Sequence, residues 1–132
     1  DEIQARQKRI QETLQNDLSL RTATQAFSTA ESRHNDSART LKAAEADVEK
    51  QRLKIEQASA TLYGGGVRNP KELQDLEKDI ASLKKHLETL EERELELMLS
   101  TETLERELQA ARLELDRTQA QVLEQNRDLS HE

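Results

Sequence analysis

Leu62-Tyr63-Gly64-Gly65-Gly66-Val67-Arg68-Asn69-Pro70-Lys71-Glu72-Leu73 holds all three glycines and the only proline of a 132-residue chain, almost at its midpoint. Glycine has no Cβ to clash in the left-handed conformation, so Gly64 or Gly65 can end a helix that runs to Leu62 and Tyr63. Asn69 reads as the N-cap of a second helix. Pro70 takes the first helical position, where a missing N–H costs nothing, and Glu72 follows three residues after the cap, as in a capping box. The chain divides into a first arm over 1–63, a glycine-rich bend over 64–69 and a second arm over 70–132. The rival is one continuous helix dimerising in parallel, and three glycines and a proline inside a helix argue against it.

Outward from the bend on the C-terminal side, a three-four spacing starts at Leu73 and runs through Leu76, Ile80, Leu83, Leu87 and Leu90. It continues through Glu94, Leu97, Thr101, Leu104, Leu108, Ala111, Leu115, Thr118, Val122, Gln125 and Leu129, so that thirteen of seventeen positions are apolar. A stripe kept over that many heptads is a coiled-coil seam, which a disordered segment has no reason to maintain.

On the N-terminal side a seven-residue ladder runs through Leu20, Phe27, His34, Leu41, Val48, Ile55 and Leu62. Ala23, Ala30, Ser37, Ala44, Gln51 and Ala58 follow three residues behind its members. Large alternates with small, which lets a leucine-rich partner helix come close. Before Leu20 the phase drifts through Ile3, Ile10, Leu14 and Leu18, implying a change of supercoil or a splayed end. The fold class expected is all-α, a long antiparallel two-helix coiled-coil hairpin, each arm on the order of 90 Å long at the α-helical rise. Folding the arms back symmetrically sets Leu41 against Glu94, with Arg39 or Lys42 in reach of that carboxylate, and sets His34 against Thr101 as a polar layer.

Composition agrees with a rod and excludes much else. Only 33% of residues are hydrophobic and 2% aromatic, too few large side chains for a globular interior. There is no cysteine, so disulfides, a thiolate nucleophile and cysteine-based zinc sites are excluded from this stretch. No apolar run approaches the roughly 20 residues of a membrane span, and no signal-peptide pattern leads the first arm, so a cytoplasmic protein with no membrane partner is expected. Opening at Asp1 in helix-like sequence suggests part of a longer protein. Asn35-Asp36-Ser37 matches a glycosylation sequon, but inside a helix and without a secretion signal it is coincidental.

His34, His86 and His131 are scattered without metal-ligand spacing, and the carboxylates of an exposed rod stay solvated. Neither a catalytic nor a metal site is expected. Residues 1–63 carry ten basic and ten acidic side chains, whereas residues 64–132 carry ten basic and seventeen acidic, so the net charge of −7 lies in the second arm. Acid concentrates between Glu88 and Glu107, while Lys50, Arg52, Lys54, Arg68, Lys71, Lys78, Lys84 and Lys85 gather at the bend end. Solvated helix faces explain both patches without further function. A basic tip and an acidic mid-rod for partners of opposite charge are the functional reading. Nucleic acid is the weaker alternative, because net charge is negative and no aromatic platform accompanies the basic residues. Leu95, Met98 and Leu99 widen the apolar face beyond one seam, which leaves a homodimer open.

The run from Leu62 to Leu76, together with Glu94-Leu95-Glu96-Leu97-Met98, resembles the bacterial C4-type zinc-ribbon proteins with a long N-terminal coiled coil. Their bend reads Leu-Tyr-x-Gly-basic-Val-x-Asn-Pro-Lys-Glu-Leu. Tyr63, Gly65, Val67, Asn69, Pro70, Lys71, Glu72 and Leu73 fall on that signature, while Gly66 stands where the family has a basic residue. The resemblance implies a cytoplasmic regulatory adapter whose hairpin precedes a four-cysteine zinc ribbon, with partners in transcription or in flagellar or secretion systems. This chain itself holds no cofactor; zinc would belong to the ribbon. Capping accounts for Gly64, Gly65, Asn69, Pro70 and Glu72. Tyr63, Val67, Arg68 and Lys71 are left over, and they are the candidate contacts for a protein partner.

Overall fold

The computed structural model describes the backbone of residues 1–66 and 69–131 and, within that set, the side chains through residue 128. Two helices account for nearly all of it: α1, Glu2–Tyr63, and α2, Pro70–His131, each of 62 residues. Asp1 caps α1, its carboxylate accepting the Ile3 N–H at 3.1 Å. Helices this long in a chain so polar draw stability from packing along a seam more than from propensity. The helices pack antiparallel in two compact units, one of Asp36–Glu102 and one of Asp1–Asn35 with Thr103–Glu132.

In the unit Asp36–Glu102, the covered positions of α1 are Ser37, Leu41, Ala44, Val48, Gln51, Ile55, Ala58 and Leu62, alternating by three and four with one half-buried neighbour at each end. Those of α2 are Leu73, Leu76, Ile80 and onward at the same spacing to Thr101. Val48 is only 1% exposed and Ile80 7%. Each such side chain contributes about 1.5–3 kcal/mol by leaving water. Most other seam residues are half-buried, because two helices alone cannot enclose one another's leucines. Two polar ties cross between the helices: buried Gln51 donates Nε2–H to the Leu83 carbonyl at 2.9 Å, and the Ser37 and Thr101 hydroxyls meet at 2.7 Å.

Those ties correct two expectations. Thr101 is partnered by Ser37, one seam position beyond His34, so the polar layer is a hydroxyl pair. Arg39 turns along its own helix to Asp36 at 2.6 Å, and Glu94, half-buried on the seam, has no ion pair among the described residues. An i,i+3 partner costs a long arginine less side-chain entropy than a reach across the seam. His34 keeps a buried Nδ1 without a hydrogen-bond partner.

In the unit Asp1–Asn35 with Thr103–Glu132, Ala23 and Thr118 are buried, and Leu20, Phe27, Ala30, Leu104, Leu108 and Leu115 are half-buried. The Arg112 guanidinium lies 5.6 Å from the Phe27 ring centroid. Arg33 and Glu107 pair across the helices at 3.5 Å, an exposed contact of small energetic weight. Toward the N-terminus the covered positions are Asn16 and Glu12, four residues apart in step with Leu20. Ile3, Ile10, Leu14 and Leu18 are each more than half exposed, so the drifting apolar phase is a stripe on the outer face of a helix that stays regular.

Candidate functional site: the bend

α1 ends at Tyr63 through two glycines with different duties. Gly65 takes φ 77°, where an L side chain is strained. Gly64 stays out of that region, but a Cβ there would stand 2.7 Å from the Ala60 carbonyl oxygen, closer than real contacts come. Gly66 has open space around it. α2 begins on Asn69, whose Oδ1 accepts the Lys71 N–H at 2.9 Å while its carbonyl accepts the Leu73 N–H at 3.0 Å. Pro70 opens the helix, and Glu72 places a negative charge in the first turn, beside the positive end of the dipole.

Of the four candidate contacts, Val67 and Arg68 lie outside the described residues. Tyr63 is 84% exposed and Lys71 is exposed. Lys71 serves the turn only with its backbone, so its ammonium is free of that duty. Tyr63 closes α1 without covering a seam position, since Leu62 does that. Eight basic side chains between residues 50 and 85 are interspersed with five acidic ones, and Arg52 is engaged by Glu49 at 2.8 Å. By sequence the bend end is therefore mildly basic.

Among the described residues no group of three or more histidine, aspartate or glutamate side chains is placed to hold a metal ion. A four-cysteine zinc site does not fit this chain, which has no cysteine. Among the described residues no helix is long and apolar enough to cross a membrane.

A family model for the CT398-like coiled coil hairpin domain matches residues 1–132. The chain belongs to that family. No curated protein and no solved structure matches it. A coiled-coil hairpin domain is what the seam, the hydrogen bonds of Ser37 and Gln51 to α2 and the capped turn build.

Sequence reasoning missed two contributors to the pairing. Gln51 looked like one small member of the ladder, yet its amide reaches a main-chain carbonyl of the facing helix. A lone glutamine at a seam position is the signal that would have found it. Ser37 was legible as small, and its hydroxyl as a partner for Thr101 was not.

Proposed function

We propose that the hairpin is a non-catalytic scaffold that engages a protein partner through its bend. Exposed Tyr63 carries this reading: the chain has one tyrosine, and it projects into solvent beside the turn instead of serving the seam. Tyrosine combines a large apolar body with a polar tip and is enriched among residues that dominate binding energy. Exposed Lys71, in the first turn of the next helix, supplies a cation on the other side of the bend. On the resemblance of the bend, the hairpin serves as the coiled-coil part of a cytoplasmic zinc-ribbon regulatory protein, with partners in transcription or secretion machinery. That part of the proposal is checked by reading the full-length frame for two downstream CxxC pairs.

The experiment is a quantitative pull-down with the hairpin and with its Tyr63→Ala, Lys71→Ala double variant, helicity being matched by circular dichroism. The expected result is a loss of about tenfold or more in recovery of the partner, the scale of a truncated aromatic anchor. Unchanged recovery places the contact elsewhere and ends the reading.

A further inference from the structure

On α2, Leu95, Met98 and Leu99 stand at i, i+3 and i+4, so they share one face. They are 55%, 41% and 57% exposed. None belongs to the seam, which passes at this level through Leu90, Glu94, Leu97 and Thr101. Three large apolar side chains side by side on a chain this polar form a patch that calls for an explanation. Glu88, Glu91 and Glu92 lie one to two turns before Leu95 on the same side, and Glu102 lies one turn beyond Met98. All four are exposed, and none is in an ion pair among the described residues. On the patch side Lys84 lies one turn before Glu88 and Arg106 one turn beyond Glu102, where it donates to the Thr103 hydroxyl at 3.4 Å, and Arg93 is turned to Glu96 at 3.9 Å. Residues 88–107 nevertheless hold eight carboxylates against two arginines.

We infer that this face of α2 docks a basic amphipathic helix of a partner protein, leucine-like side chains meeting Leu95, Met98 and Leu99 and lysine or arginine meeting the glutamate rim. The charge selects the occupant. An isologous contact with a second copy lays the patch on itself and sets two net-acidic faces against each other, with Glu92 of one copy near Glu102 of the other. Anionic lipid and nucleic acid are repelled for the same reason. A helix with anchors at i, i+3, i+4 and i+7 matches the spacing of the patch, and the flexible thioether of Met98 adapts to the side chains it receives. This surface is separate from the bend and does not depend on Tyr63.

The probe is a labelled synthetic helix of leucine and lysine with leucine at that spacing, compared with a scrambled peptide of the same composition. Both are titrated into the full chain by fluorescence anisotropy at low and high salt. The patterned peptide should bind at least about tenfold more tightly than the scrambled one, and Leu95→Gln with Met98→Gln should remove about that factor. Glu91→Gln with Glu92→Gln should weaken binding and flatten its salt dependence. These side chains are exposed, so the variants keep their helicity. If the apolar pair nevertheless unfolds the hairpin, the charge pair carries the test alone. Equal binding of the two peptides, or indifference to both variants, overturns the inference. So does light scattering that shows self-association abolished by Leu95→Gln with Met98→Gln, since a second copy would then be the occupant.

Discussion

Two stretches of α1 are equally helical and differently used. Between Ser37 and Leu62 the large-small ladder coincides with the covered positions, and the polar members Ser37 and Gln51 are satisfied by hydrogen bonds to α2. Between Glu2 and Ser19 the covered positions fall on Glu12 and Asn16, while Ile3, Ile10, Leu14 and Leu18 face outward and the Asn16 Nδ2 is buried without a partner. The difference teaches that helix and seam are specified separately. Helix formation tolerates almost any sequence free of glycine and proline, whereas a seam requires the right residue at each third or fourth step.

The contrast is sharpest at its two extremes. Ile80→Ala, in the well-packed stretch, should lower unfolding free energy by about 2–4 kcal/mol in urea titration, the range for deleting a buried branched side chain. A loss below roughly 0.5 kcal/mol would mean that the seam contributes little there. The bend divides in the same manner. Gly65→Ala should cost about 1–2 kcal/mol through its left-handed backbone, while Gly66→Ala, with open space, should change stability by less than about 0.5 kcal/mol. Equal effects would remove the distinction drawn between the two glycines. Smallest of all, Leu14→Ala at a site 63% exposed should stay within about 0.5 kcal/mol by the same titration. A large loss would show the outer stripe to be packed in solution.

Much of the fold was written in plain residues. Glycine, asparagine and proline mark helix ends because backbone conformation, not tertiary context, makes them necessary, and the stripe from Leu73 has one period throughout. The pairing register was less legible. His34 and Ser37 are both polar seam residues three positions apart, and a symmetric fold-back cannot choose between them. The hydroxyl that reaches Thr101 decides. Arg39 shows a similar limit, since Asp36 and Glu94 are both plausible partners by sign and only geometry favours the nearer. By subtracting what capping needs, sequence reasoning singled out Tyr63, Val67, Arg68 and Lys71 as candidate contacts, of which Val67 and Arg68 lie outside the described residues. Tyr63 and Lys71 are both exposed, and subtraction finds side chains that a turn does not need without naming what they meet.

Pairing of the two arms within one chain is the central claim, and a cysteine pair tests it. The chain has no cysteine of its own, and the Ser37 and Thr101 side-chain oxygens meet at 2.7 Å, so these two positions face each other across the helices. Ser37→Cys with Thr101→Cys, oxidised at low concentration and run on a non-reducing gel, should give a disulfide within a single chain. Disulfide-linked dimers alone, as two chains paired in parallel would yield, or no disulfide at all, would contradict the account.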